Sequence, residues 1–210
     1  MKIRQETSKD HEIVENLIRE AFWNEHVPGA MEHYLAHSMR NHPDFIKELD
    51  LVVEMDDQIV GSIMFTRCLL IDEKEMEKPC VTFGPLAIAP RYQRKGIAKK
   101  LIAFSLNKAK EMGYDCVVIF GHPSNYVTSG FISCKKVNIA LEEDYYPTAM
   151  LVKILDEDTF EKKKWTYKES TAYILDESKF EEFDAKFPYK EKKVLPSQEE
   201  FYIYSHSSLK

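Results

Sequence analysis

The chain has no apolar run longer than the five residues of Cys116–Phe120, far short of the roughly 20 that a membrane-crossing helix needs. Its first residues, MKIRQETSKDHE, are charged and hold no hydrophobic segment of the secretory kind. Both absences point to a cytoplasmic protein with no membrane partner. A basic excess is missing too. The 29 Lys and Arg stand against 35 Asp and Glu, a net charge of −6, which argues against nucleic acid as a partner. Cysteine is scarce: Cys68, Cys80, Cys116 and Cys134 stand apart, without the C-x-x-C spacing of zinc or redox sites. They read as reduced core residues, and no metal is expected. Glycine is scarce as well, and five of the 7 (84, 96, 113, 121 and 130) fall in one central region. That concentration suggests a backbone shaped around a ligand.

What is present is ordinary for a globular protein: 44% hydrophobic and 30% charged residues over 210 positions, enough for one sizeable domain with an appendage. MKIRQET reads as a strand, and SKDHEIVENLIREAF as a helix with Ser8 as its N-cap. A loop over 23–30 and a helix in MEHYLAHSMRNH follow. LVVEM and QIVGSIMFTRCLLI are strands joined by a turn at Asp56 and Asp57. CVTFGPLAI is a strand, KGIAKKLIAFSLNKAKEM a long helix ended by Gly113, and CVVIF a strand buried on both faces of a partly parallel sheet. The order predicts an α/β (α+β) fold, a mixed sheet packed by helices. Beyond 155 the text turns Lys- and Glu-rich. Residues 1–155 are read as the domain, and 156–210 as a C-terminal extension packed on it or continuing it, with little information of its own.

CVTFGPLAI contains a defect. Val81 and Phe83 point one way at period two, but Leu86 and Ile88 continue in the opposite phase, so an extra residue belongs near Gly84-Pro85. Pro85 lacks an N–H, and beyond it the strand should splay and free backbone groups for a ligand. The next segment, APRYQRKGIAKKL, puts five cations within ten residues of an acidic chain. Its apolar stripe starts the helix near Lys95 or Gly96. Cations are unfavourable at the positive end of a helix unless an anion neutralises them, and a phosphate would do so. A solvated basic face accounts for Lys99 and Lys100 but not for Arg94, Lys95 and Gly96 together.

Gln93-Arg94-Lys95-Gly96-Ile97-Ala98 resembles the [QR]-x-x-G-x-[GA] motif of the GNAT acetyltransferase superfamily, placed after a bulged strand and opening a helix. Tyr126-Val127-Thr128-Ser129-Gly130-Phe131 is similar to the Tyr-x-x-x-Gly-Phe element of that family. Ala98 stands where glycine is most frequent, and Gly121-His122-Pro123 replaces an asparagine-containing segment. The resemblance implies acetyl-CoA as cosubstrate. Backbone groups of Leu86, Ala87 and Ile88 would run beside the pantetheine, while Gln93, Arg94, Lys95, Gly96, Ile97 and Ala98 would form the pyrophosphate cradle. It also implies an acyltransferase acting on a primary amine of a small molecule or peptide, working as a monomer or homodimer. A non-catalytic acyl-CoA-binding regulatory domain is the alternative.

In that reading Tyr126 is the acid that protonates the departing thiolate, against a purely packing role. His122 titrates near neutrality and is the candidate base, although capping the strand beside Pro123 explains it equally well. Glu25 and His26, in the loop that lines the acceptor site of this superfamily, either bind the acceptor or are merely solvated. A water chain could also take the amine's proton.

Overall fold

The computed structural model describes residues 1–161 and 163–210. Strand β1 (Lys2–Gln5) leads to helices α1 (His11–Phe22) and α2 (Glu32–Met39), then to strands β2 (Leu51–Met55), β3 (Gln58–Asp72) and β4 (Glu77–Ile88). Helix α3 (Ile97–Glu111), strand β5 (Cys116–Phe120) and the short helix α4 (Pro123–Tyr126) follow. The rest comprises β6 (Ile132–Ser133), β7 (Ile139–Ala140), β8 (Met150–Ile154), β9 (Trp165–Lys168), α5 (Phe180–Asp184) and α6 (Pro196–Ser205). One sheet runs β1-β2-β3-β4-β5-β8-β6, with β9 joined to β3 and β7. The β4–β5 and β7–β9 pairs are parallel and the others antiparallel. This is the mixed, bulged sheet with helices on both faces that the sequence predicts.

Period-two alternation assigns the faces. Leu51, Val53, Ile63, Phe65, Val117 and Ile119 pack with the α3 stripe of Ile97, Leu101, Ile102 and Leu106. Their neighbours Val52 and Met64 point the other way, into Val14, Ile18, Ala36 and Met39 of α1 and α2. Ser8 is not the cap of α1. The helix starts at His11 with Asp10 in the cap position, where its carboxylate accepts from Thr7 N–H at 2.8 Å and from Arg4. Asp10 serves as an ion-pair anchor between β1 and α1.

The extension is built into the sheet. β2 covers only the first half of the 15-residue β3, and β9 pairs with the exposed remainder through Leu69–Asp72. That removes an edge which would otherwise present unpaired backbone groups. Further on, Asp184 accepts from the buried Arg19 of α1 at 2.7 Å and pairs with His33 of α2 at 2.9 Å, so the extension is also fastened to the helical face. The cysteines are reduced and buried, but they do not stand apart: all four share one apolar cluster. Cys68 and Cys80 face each other across β3 and β4 with sulfurs 3.0 Å apart. Burial pushes the Cys80 and Cys134 thiols up, so they are poor nucleophiles.

Beneath β1 lies a buried polar knot. Arg40 donates to Glu6 at 2.7 Å and to Glu15 at 2.5 Å; Glu6 N–H donates to the Asp50 carbonyl at 2.9 Å, and the Asp50 carboxyl is buried beside that of Glu6. Burial, then the neighbouring Glu6, pushes the Asp50 carboxyl up to about 9, so it holds its proton at neutral pH. In the unfolded chain it ionises near 4, at about the model-peptide value. Its contribution to stability is therefore full below about pH 4 and is lost as pH rises towards 9. Asp50→Asn keeps the shape and an N–H donor for Glu6 while removing the titration. In thermal melts the variant should lose much of the wild-type decline between pH 5 and pH 9, gaining at least about 3 °C at pH 9, which is what roughly 1 kcal/mol produces in a chain of this size. Parallel pH profiles for the two proteins would show that Asp50 does not carry this proton.

Candidate active site

The expected bulge is present. Phe65 of β3 pairs with Phe83 and Ile63 with Leu86, so the single residue Met64 stands opposite both Gly84 and Pro85. The extra residue restores the phase: Val81, Phe83, Leu86 and Ile88 all reach the α3 face, while Ala87 reaches the α1 and α2 side. Parallel pairing of β4 with β5 is confined to Val81 and Val117, and beyond the bulge the strands part. A cleft of about 720 Å³ opens there, lined by β4, the start of α3, the end of β5, α4, the α1–α2 segment and α6.

Of the three β4 residues expected beside a ligand, two present their backbone to it. Ala89 N–H donates to Val60 of β3 at 2.9 Å, and the Ala87 carbonyl lies where a side chain on Gly61 would meet it at 3.2 Å. Alternate strand residues turn their N–H and C=O the same way, so Ala87 and Ala89 face β3. Leu86 and Ile88 face the cleft. The backbone of Ala87 is spent on the sheet, although the residue lines the cleft together with Leu86 and Ile88. The Gly84 carbonyl at the bulge accepts from the Tyr173 hydroxyl at 3.3 Å, a tether supplied by the extension.

The cradle is built by backbone geometry. Arg94 (φ +59°) and Gly96 (φ +78°) are left-handed, and α3 starts directly after Gly96. Among the described residues, no backbone amide of 94–99 donates to a carbonyl; the first helical bond is Lys100 N–H to Gly96 at 3.2 Å. N–H groups without a backbone acceptor at and just before a helix N-terminus have the chemistry to receive an anion. Gln93 fixes the loop, its side-chain amide donating to the Ile88 carbonyl at 3.1 Å. Arg94, Ala98 and Lys99 line the cleft, whereas Lys95 lies over the Tyr92 ring and Ile97 is 5% exposed in the core. Lys95, Gly96 and Ile97 are not among the residues that line the cleft.

Tyr126 and His122 lie across the cleft. The Tyr126 ring packs 5.9 Å from both Phe83 and Phe131, over Gly121, where an added Cβ would meet it at 2.5 Å. Its hydroxyl has no hydrogen-bond partner among the described residues, and burial, aided by Tyr204, pushes its pKa up to about 12. His122 caps α4: its Nδ1 accepts from Ser124 N–H at 3.3 Å and lies 2.7 Å from the Ser124 hydroxyl. An Nδ1 so engaged leaves the proton of the neutral ring on Nε2. In this arrangement His122 serves as the cap of α4.

Glu25 and His26 both reach the cleft, as do residues that the sequence reading missed: Phe22, Glu32, Phe201, Tyr204 and Ser205. Glu32 accepts from Met31 N–H at 3.0 Å and pairs with His26 at 3.3 Å. Phe201 stacks on His26, and Tyr204 stands edge-on to His122. The one local signal for α6 was Pro196 at a helix start followed by aromatics at i, i+3. Among the described residues no helix is long and apolar enough to cross a membrane.

Residues 14–133 match the model of the acetyltransferase (GNAT) family. The chain is 30% identical over 132 residues to the uncharacterized N-acetyltransferase YhbS of Escherichia coli K12, covering 62% of this chain and 73% of that protein. It is 33% identical over 87 residues to the uncharacterized N-acetyltransferase YjhQ of the same organism, covering 41% of this chain and about half (47%) of YjhQ. Among solved structures, E. coli YhbS in complex with CoA superposes with a TM-score of 0.71 at 23% identity, covering 83% of this chain and 92% of that one. A GNAT acetyltransferase from Brucella melitensis in complex with acetyl-CoA gives 0.65 at 22% identity, covering 82% and 97%.

Proposed function

Because this chain belongs to the GNAT family of acetyltransferases, we propose that it transfers the acetyl group of acetyl-CoA to a primary amine. The observation that carries the reading is that one cleft holds both the split between β4 and β5 and Arg94, Ala98 and Lys99 from the stretch whose amides have no backbone acceptor. The pyrophosphate rests on those amides, with Arg94 and Lys99 beside it, and the pantetheine lies along Leu86 and Ile88. The amine nitrogen attacks the thioester carbonyl, the oxyanion is met by backbone N–H at Leu86 or Ile88, and the C–S bond breaks as sulfur takes its electron pair. Tyr126 gives the thiolate its proton. Its raised pKa keeps that proton in place at rest. The amine's proton leaves to water at the mouth of the cleft.

Glu25 holds the cationic form of the acceptor on arrival, with His26 beside it. Residues 1–155 form the catalytic domain, and 156–210 are an extension that closes its acceptor end. The cytoplasm suits the reading, since it keeps the four thiols reduced.

Saturating acetyl-CoA should raise the melting temperature by roughly 5–10 °C, the shift of a ligand near a hundred times its Kd. A panel of primary amines should release free CoA thiol from it. No melting shift at saturation would end the reading; a shift without thiol release from any amine would favour a non-catalytic acyl-CoA sensor.

A further inference from the structure

The acceptor end of the cleft has an unusual wall. Phe22 meets His26 edge-on at 5.6 Å, His26 stacks on Phe201 at 4.4 Å, Phe201 meets Tyr204 at 5.5 Å, and Tyr204 meets His122 at 4.8 Å. Five rings in unbroken contact line one side of a single cavity. Two of them, Phe201 and Tyr204, come from α6, which lies outside the 14–133 stretch matched by the family model. Gln198 pins that helix, donating to the Asn24 carbonyl at 3.1 Å and the Lys193 carbonyl at 2.9 Å. The Asn24 side-chain oxygen in turn accepts from Gly29 N–H at 2.8 Å and Lys193 N–H at 3.0 Å. The loop that carries Glu25 and His26 is therefore fastened to the helix that carries the outer rings.

Charge at this end is sparse. Glu32 uses both oxygens, one on Met31 N–H and one on His26, which leaves Glu25 as the lining carboxylate with no hydrogen bond or ion pair among the described residues. The lining Lys and Arg are Arg94 and Lys99, both at the opposite end beside the start of α3. One free carboxylate beside a row of rings suits one ammonium on an aromatic body. A polyamine would bring several cations to one free carboxylate, and a free amino acid would bring a carboxylate to Glu25 with no cation to receive it.

Resting on the acetyl-transfer reading above, we propose that the acceptor is an arylalkylamine, its ring packed against Phe201 and Tyr204 and its amine guided by Glu25, with α6 as the specificity element. Stacking on an aromatic face adds to area burial, and carbon–ammonium contact with the rings reinforces the carboxylate.

The test uses the full chain and three probes: 2-phenylethylamine, n-hexylamine and spermidine. Thiol release should give 2-phenylethylamine a kcat/KM at least about tenfold above spermidine and severalfold above n-hexylamine. Phe201→Leu, which keeps apolar bulk under α6, should raise the KM for 2-phenylethylamine at least about fivefold and leave acetyl-CoA affinity alone. Calorimetric titration of 2-phenylethylamine into CoA-loaded protein separates the two readings. Binding that Phe201→Leu weakens, without acetyl transfer, keeps the arylalkylamine site on α6 but removes its role as acceptor together with the enzyme reading. Acetyl transfer to spermidine equal to or better than that to 2-phenylethylamine keeps the enzyme and removes this inference. So does an unchanged affinity for 2-phenylethylamine in Phe201→Leu.

Discussion

Tyr126→Phe should lower turnover by roughly 10²-fold or more while CoA affinity stays near the wild-type value. The substitution removes one oxygen and keeps the ring, and the ring is what holds the residue in place: it packs on Phe83 and Phe131 and lies over Gly121. No partner among the described residues loses a bond, because the hydroxyl has none there, and the variant should melt within about 1–2 °C of wild type. The pKa near 12 adds a further signature. A proton held so firmly produces no alkaline fall in rate from Tyr126 below about pH 11, so any limb seen at lower pH belongs to another group. Near-normal turnover in the Phe variant would return Tyr126 to the core as a packing residue.

Ala98→Glu should move binding and stability in opposite directions. Ala98 sits in the first turn of α3 and lines the cleft, and no acidic residue occupies that turn. A carboxylate there complements the helix dipole, and melting of the free protein should stay level or rise by a degree or two. The same carboxylate would occupy the mouth of the cradle formed by the amides of 94–99. Like charge against a pyrophosphate costs several kcal/mol, so CoA affinity should drop on the order of 10²–10³-fold. Gly96 is a poorer place for this test. At φ +78° any β-carbon is strained, and a β-branched one most of all, so loss of binding would be mixed with loss of fold. CoA affinity unchanged by Ala98→Glu would place the pyrophosphate somewhere other than the start of α3.

Much of this site could be read in one dimension because its signals are local. A reversal of period two between Phe83 and Leu86 reveals a bulge whatever the strand pairs with, since side chains alternate along any strand. The start of the α3 stripe beside Gly96, with cations where acids belong, likewise describes a helix terminus and its anion without reference to the rest of the chain. Tyr126 could be placed by its spacing to Gly130 and Phe131 within the family pattern. Ala87 shows where such reading ends. Which backbone groups of β4 face the cleft depends on the hydrogen-bond parity set by β3, and the Ala89–Val60 bond fixes that parity.

His122 and the cysteines make the same point. A histidine after a strand gives no sign of capping the next helix until the backbone of Ser124 meets its Nδ1. Four thiols spread from 68 to 134 become neighbours only when β3, β4 and β5 lie side by side. The extension was the least legible part and the most consequential for the acceptor end. Its strand β9 looks like any short aromatic stretch until the unpaired half of β3 receives it. Phe201 and Tyr204 acquire a role only when Gln198 reaches Asn24, some 174 residues earlier in the chain. What the sequence determined by itself was the element order as far as β5, the bulge and the start of α3 beside Gly96, because periodicity and backbone conformation are properties of neighbouring residues. The ring contacts of Phe201 and Tyr204, the capping by His122 and the facing of β4 were decided only in the tertiary structure. The first and the last depend on contacts across long sequence separations, and such contacts leave no periodic mark on either partner.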